Sequence, residues 1–451
     1  MGLLFYLLFP LLLARTSSVT VNEELERFRH QSLRLPLYHV RGQGPDLPQT
    51  LDTPLSFLDA LAMDDARVKF LRSRLNKTIP SSTASGDGKS VSIPLNPGQS
   101  IGIANYYTRI GLGTPPTYHL VVVDTGSSFS WIQCQPCATY CHPQAGSLFD
   151  PSASGTYEEL SCNTSQCSSL EVATLNSPTC SSSNICQYTA TYGDQSLSMG
   201  YLSRDTLSFS MESLPGFVFG CGQENYGLFG RSSGLIGLAR NELSMLSQLS
   251  FKYENSFSYC LPTSTVIGKT GTGGFLSIGS SSDSPSKFTP MLSDSRDPGL
   301  YFLKLSAISV SGKPLPLDAS AYGVSTIIDS GTAITRLATP VYSALREELV
   351  KIISTKFSTV EAVSLLDACF NGTSDEISHI VPPVQMIFEG GAELGLEPRN
   401  VIIEVMEGTT CLSFSGSSND MAIIGNQQQQ TFEVVYDVAN SRIGFSAGGC
   451  W

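Results

Sequence analysis

A chain of 451 residues with 41% hydrophobic content can bury a large core and has room for more than one lobe, which excludes a disordered polymer. Charged residues make up only 15%, against roughly 25% in average proteins, and the formal net charge is −12, so composition offers no basic surface for nucleic-acid phosphates. Abundant Ser, Gly and Thr favour a β-rich secreted protein over a helical cytosolic one.

Residues 3 to 13 form an apolar run too short for a bilayer, which takes roughly 20 residues, and it sits where a secretory signal would. Residues 1–18 are therefore expected to be a signal peptide, with a buried helix as the plainer alternative. All 12 cysteines lie between Cys134 and Cys450, an even number that fits an oxidising compartment. Asn76, Asn163 and Asn371 each open an N-x-[ST] tripeptide, a weak signal for glycan attachment.

Residues 19–95 differ in charge from the rest: ten Lys or Arg against nine Asp or Glu, whereas residues 96–451 carry 16 against 30, a net charge of −14. Within them, residues 54 to 75 place Leu58, Leu61, Val68, Leu71 and Leu75 at mostly helical spacing. Asp59, Asp64 and Asp65 come early and Lys69, Arg72 and Arg74 late, an order that suits the helix dipole. A Pro, Ser and Gly stretch at 80–88 then reads as an exposed linker of the kind proteases cut.

The body opens at Tyr106 with a strand and turn, followed by Val121-Val122-Val123-Asp124-Thr125-Gly126-Ser127. The β-branched run reads as a buried strand that delivers a carboxylate at its end. An unpaired carboxylate out of water is costly. Gly126 lets backbone N–H groups approach the acid, and Thr125 and Ser127 supply hydroxyls to hold it.

Next comes Trp131, one of two tryptophans. Cys134-Gln135-Pro136-Cys137, with Cys141 and His142, resembles a zinc or redox motif when read alone. The five histidines (30, 39, 119, 142, 379) do not cluster, and a secreted chain favours disulfides over thiolate ligands, so no metal and no cofactor are expected. Residues 187 to 209 read as a β-hairpin with its turn at 193–196. A Gly- and Ser-rich stretch, 271–286, marks the expected passage between two lobes, 96–280 and 281–451.

The second half repeats the first. Ile327-Ile328-Asp329-Ser330-Gly331-Thr332 places another carboxylate 205 residues after Asp124, again behind an apolar strand and beside Gly331, Ser330 and Thr332. Each copy is followed by an apolar-apolar-Gly run, Gly237 lying 113 residues after Asp124 and Gly425 lying 96 after Asp329. A duplicated unit would face its two acids across a pseudo-twofold axis. Residues 340–357 carry Val341, Leu345, Leu349 and Ile353 four apart and form the best helix. Gln427 to Gln430 are expected to open a strand leading to Phe432.

One such tetrapeptide is weak evidence; two, each behind an apolar strand and in register with a second motif, are strong. The pair D-[TS]-G-[ST], with its apolar-apolar-Gly partners and the cysteine pattern, resembles the pepsin-like aspartic proteases, in their plant nepenthesin-type branch. The resemblance runs from about Tyr106 to the C-terminus. It implies a mostly β, bilobal fold with a cleft between two pseudo-twofold lobes, and an endopeptidase using Asp124 and Asp329 on a water at acid pH. No metal or cofactor is implied. The implied partner is a peptide or protein substrate, with no nucleic acid and no membrane, for a monomer. The expected location is extracellular, in the apoplast, or the vacuole.

The resemblance also makes residues 19–95 a propeptide. Tyr192 matches the family's flap tyrosine, with Gly193 beside it and Trp131 in support; an ordinary surface hairpin and a core-filling tryptophan are the alternatives. Gln195 stands where the plant pattern has a small residue, a departure at the flap tip. The implied disulfides are Cys134 with Cys137, Cys141 with Cys221, Cys162 with Cys186, Cys167 with Cys180, Cys260 with Cys450, and Cys369 with Cys411. A catalytically silent pepsin-fold binding or inhibitor protein is the rival reading, against which the intact pair of Asp motifs stands.

Overall fold

The structure is a computed structural model and describes residues 57–75, 91–93, 96–97, 106–192, 196–209, 212–227, 229–263, 274–279, 287–417 and 420–448. The expected signal peptide, the linker at 80–88, Asn76, Gly193, Gln195, Cys450 and most of 271–286 lie outside these residues.

Strands dominate, and the two Asp strands sit in corresponding places. Thr117–Asp124 pairs antiparallel with Tyr106–Leu112 on one side and parallel with Gly234–Gly237 on the other. Gly234–Gly237 then pairs antiparallel with Trp131–Gln133, which pairs parallel with Glu212–Tyr226. The second half repeats this alternation. Thr326–Ile328 lies antiparallel to Phe302–Leu303 and parallel to Ala422–Ile424. Ala422–Ile424 meets Thr335–Ala338 antiparallel, and that strand runs parallel to Phe414–Ser417. The apolar-apolar-Gly runs are therefore the parallel neighbours of the Asp strands, with Gly237 opposite Asp124 and Ile424 opposite Ile328. The apolar residues next to the acids, Val121 to Val123, Leu235, Ile236, Ile327, Ile328, Ile423 and Ile424, are buried, as strands covered on both faces require.

The first half builds a ten-stranded sheet, while the second half holds the five-stranded sheet just described and two four-stranded sheets. A six-stranded sheet draws on both halves, joined where Ser256–Cys260 pairs antiparallel with Phe432–Asp437. Its register stacks Phe257 on Tyr436, ring centroids 4.3 Å apart, at the heart of the largest apolar cluster. The bilobal expectation is met.

Local expectations hold with adjusted ends. The hairpin forms from Cys186–Thr191 and Leu197–Phe209. The late helix is Thr339–Ile353, shorter than 340–357, burying Val341, Leu345, Leu349 and Ile353. Pro340 sits in its first turn, where a missing N–H costs nothing. The glutamine run differs from expectation: Asn426–Gln429 is a single helical turn, and Gln428 and Gln429 are buried. Their amides hydrogen-bond to backbone carbonyls of neighbouring elements, including Ser413 and Ile424, which outweighs exposure of the strand start.

Four of the expected disulfides are corrected. Cys134 bonds to Cys221, not Cys137, because Trp131–Gln133 and Glu212–Tyr226 pair in a register that sets Cys221 opposite Ile132 and brings the two Cα atoms to 5.4 Å. Cys137 then closes a four-residue loop with Cys141, so Cys141 does not meet Cys221. Cys162 bonds to Cys180 rather than Cys186, and Cys167 to Cys186 rather than Cys180. Burial sorts these two: Cys167, on the inner face of the Ser165–Thr174 helix, and Cys186 are both in the core, while Cys180 is exposed. Cys369 bonds to Cys411 as expected, its direct neighbour across two strands. Cys260 is disulfide-bonded, and its expected partner Cys450 lies outside the described residues.

Upstream of the sheets, residues Phe57–Leu75 form a 19-residue helix. Leu61, Asp64, Val68, Leu71 and Leu75 make its buried stripe at three- and four-residue steps. Leu58, expected on that stripe, is exposed. Among the described residues no helix is long and apolar enough to cross a membrane.

Candidate active site

The two Asp strands end at one point. Asp124 and Asp329 are 1% and 0% exposed, and their loops are tied to each other. The Ser330 N–H donates to Thr125 Oγ1 at 2.9 Å, and the Thr125 N–H donates to Ser330 Oγ at 3.3 Å. Thr125 Oγ1 also reaches Asp329 Oδ1 at 3.3 Å.

Each carboxylate is held by its own motif. The Gly126 N–H donates to Asp124 Oδ1 at 2.9 Å and Ser127 Oγ to Asp124 Oδ2 at 2.5 Å. The Gly331 N–H donates to Asp329 Oδ1 at 3.2 Å and Thr332 Oγ1 to Asp329 Oδ2 at 2.6 Å. The glycines are required by space as well. A Cβ on Gly126 would stand 2.9 Å from Asp329 Oδ1, and one on Gly331 would stand 2.6 Å from Asp124 Oδ1. Each motif glycine thus clears room for the opposite acid.

Between the acids lies a guanidinium from the upstream helix. Arg67 Nη2 donates to Asp124 Oδ1 at 2.5 Å and to Asp329 Oδ1 at 2.9 Å. Arg67 Nη1 reaches Asp124 Oδ2 at 3.0 Å and Nε reaches Asp329 Oδ2 at 2.8 Å. One nitrogen bridging both carboxylates shows that a single small group spans the pair. Burial pushes the Asp329 carboxyl up, but the charge of Arg67 and its hydrogen bond, with those from Thr332 and Gly331, outweigh burial and hold it below the ordinary 3.8. Burial disfavours the charge on Arg67, yet the two carboxylates more than compensate and raise its pKa.

The same helix is pinned on either side of Arg67. Asp64 accepts from the Ala333 N–H at 2.5 Å and pairs with Arg336 at 3.0 Å. Arg74 donates to Asp297 Oδ2 at 2.6 Å and to the Gly126 carbonyl at 2.5 Å, and Arg72 donates to Ser417 Oγ at 3.0 Å. The early acid Asp64 and the late bases Arg72 and Arg74, read from sequence as part of a dipole match, make tertiary contacts, while Asp65 and Lys69 pair within the helix.

Over the first lobe's side of the site, Trp131 Nε1 donates to the Tyr192 hydroxyl at 2.7 Å. Phe229 lies edge-on to both rings, with centroids 4.8 Å from Trp131 and 5.5 Å from Tyr192. Phe229 carried no signal in the sequence. Neither did Arg67 or Arg336, nor Asn426, whose Nδ2 donates to the Ser330 carbonyl at 3.0 Å. Asn426 directly follows the apolar-apolar-Gly run, a position that could have pointed to it.

Two carboxylates this close share a proton once no cation lies between them, which yields an acid and a base in one site. That constellation can be compared with known proteins. Residues 106–280 match the family model described as xylanase inhibitor N-terminal, and residues 300–447 match the one described as xylanase inhibitor C-terminal. An aspartyl protease family protein of Arabidopsis thaliana is 39% identical over 421 residues, covering 92% of this chain and 87% of that one. The chain belongs to the plant pepsin-like aspartic proteases. Aspartic proteinase nepenthesin-1 of Nepenthes gracilis is 36% identical over 359 residues, 77% of this chain and 79% of its own length. Among solved structures, basic 7S globulin from soybean superposes with a TM-score of 0.62 at 21% identity, covering 79% of this chain and 96% of that one, a likeness of fold. As a plant aspartic protease, the chain is an aspartic-type endopeptidase.

Proposed function

We propose that this protease is a secreted enzyme made as a zymogen and active at acid pH, with Asp124 and Asp329 as its catalytic pair and residues 19–95 as its propeptide. One observation carries the reading: Arg67 of the upstream helix donates to both carboxylates. A cation in that place excludes the hydrolytic water and removes the shared proton the chemistry needs.

With the helix gone, the pair holds one proton, as is established for aspartic protease dyads generally. The ionised carboxylate takes a proton from a water, whose oxygen attacks the peptide carbonyl carbon. The protonated carboxyl donates to the carbonyl oxygen. The C–N bond then breaks and the leaving nitrogen takes a proton from the site. Tyr192, held by Trp131, serves the hairpin that closes over the peptide. Exposed Asn163 and Asn371 suit glycan attachment, and the disulfides suit the extracellular space or vacuole.

The test is acidification of the purified full-length chain. Loss of the first ~95 residues, with the boundary at an exposed linker, should accompany cleavage of a denatured protein substrate, and Asp124→Asn should abolish that cleavage. A rate profile peaking above about pH 8 would contradict a shared-proton pair. The binding or inhibitor reading draws support from the description of the matching family models and would be favoured by complete inactivity of the processed chain.

A further inference from the structure

We propose that Arg336, together with the backbone N–H groups of Ala333 and Ile334, forms a substrate subsite for an acidic side chain, which Asp64 occupies in the uncleaved protein. This rests on the reading of the Phe57–Leu75 helix as a segment that leaves.

Two backbone donors and one guanidinium charge converge on the Asp64 carboxylate. The Ala333 N–H donates to Oδ1 at 2.5 Å, the Ile334 N–H to Oδ2 at 3.3 Å, and Arg336 Nη2 faces Oδ2 at 3.0 Å. Both side chains are out of solvent, Asp64 1% and Arg336 3% exposed. A guanidinium and two peptide N–H groups aimed at one point are what anion recognition asks for.

The local sequence explains why Arg336 points there. Successive residues of a strand face opposite sides. Thr335 is turned inward, bonded to Gln428 and accepting from the Gly425 N–H at 2.9 Å, so Arg336 faces the helix. Its other terminal nitrogen, Nη1, donates to the Ile334 carbonyl at 2.7 Å, which fixes the guanidinium without neutralising it.

The subsite adjoins the dyad. Ala333 directly follows Thr332, which holds Asp329. Asp64 precedes Arg67 by three residues, roughly 4.5 Å along a helix axis. An apolar surface of Ile334, Val363, Leu366 and Val405 flanks the subsite and receives Leu61 in the uncleaved chain. When the helix leaves, Arg336 keeps its charge and loses its anion, a vacancy that a substrate carboxylate fills and an amide of the same shape does not.

The experiment uses the activated enzyme and quenched fluorescent peptides that differ only by Asp or Asn, scanned through each position flanking the cleaved bond. Assay near pH 5, roughly one unit above the ordinary Asp value, keeps the probe ionised. At one position kcat/KM should favour Asp by about ten- to a hundredfold, the range of charge-assisted bonds. Arg336→Met should bring that ratio to about one, and Arg336→Lys should retain part of it. A purely structural Arg336 would move both peptides together and leave the ratio intact. A ratio near one at every position in active wild type, or one that survives in Arg336→Met, overturns the subsite alone. If Arg336→Met does not fold, the wild-type ratio and Arg336→Lys decide. A processed wild type that hydrolyses no peptide overturns the protease reading and this assignment with it.

Discussion

Thr125 and Ser330 exchange hydrogen bonds across the two lobes, the Ser330 N–H to Thr125 Oγ1 at 2.9 Å and the Thr125 N–H to Ser330 Oγ at 3.3 Å. Each residue adjoins one of the acids, so this pair of bonds sets how far apart the carboxylates stand. Thr125→Val keeps the shape and removes the acceptor. A buried N–H left without a partner costs about 1–3 kcal/mol, which denaturant unfolding should register. The kcat of the activated variant should fall by up to about a hundredfold, the effect of an ångström-scale displacement of reacting groups.

Arg67 is the cation that silences the pair. Replacing it with Met leaves two buried carboxylates without their partner and should weaken helix docking by about 3–5 kcal/mol. The full-length Arg67→Met chain should cleave a peptide at a pH where full-length wild type does not. Equal latency of the two chains would remove Arg67 from the blocking role.

Acid should release the helix, and the sign follows from Asp329. Its carboxyl is held below the ordinary 3.8 while Arg67 is docked, so its contribution to docking is lost as pH falls through that lowered value. Asp64 has the opposite sign. Burial outweighs Arg336 and the two amides, raises its carboxyl above 3.8 and lets the docked state take up a proton there. Release by acid therefore requires the loss of Arg67 pairing with Asp124 and Asp329 to exceed the proton uptake at Asp64. Intact-mass analysis across a pH series should show the N-terminal segment lost progressively below pH 3.8 and retained at neutrality.

Tyr192→Phe removes the acceptor of the Trp131 indole N–H. The stability cost should be about 1 kcal/mol or less, since Tyr192 is only half-buried. A larger effect is expected on kcat/KM if the bond aligns the hairpin over substrate, and steady-state kinetics on one peptide separates the two.

Non-reducing peptide mapping should recover Cys134 with Cys221, Cys162 with Cys180, and Cys167 with Cys186. Removing the first of these, which closes 87 residues, should lower stability by about 2–5 kcal/mol.

What the sequence determined by itself was whatever is written in contiguous patterns. A β-branched run before Asp124 and another before Asp329 dictate buried strands that end in an acid, because burial of such runs and the hydrogen-bonding needs of a carboxylate are local facts. The apolar-apolar-Gly runs marked the repeated unit, and the spacing of Leu61, Val68, Leu71 and Leu75 foretold a helix with one buried face, whereas the parallel pairing of those runs with the Asp strands came from the fold. The tertiary structure alone decided which distant groups meet. Cys134 and Cys137 are neighbours in sequence, yet strand register carries Cys221 to Cys134. Arg67 and Arg336 look like ordinary surface charges until the helix crosses the strand ends and places one between Asp124 and Asp329 and the other against Asp64. A charge says nothing along the chain about its partner, because the pairing energy exists only at a distance of a few ångströms, and only the fold sets that distance.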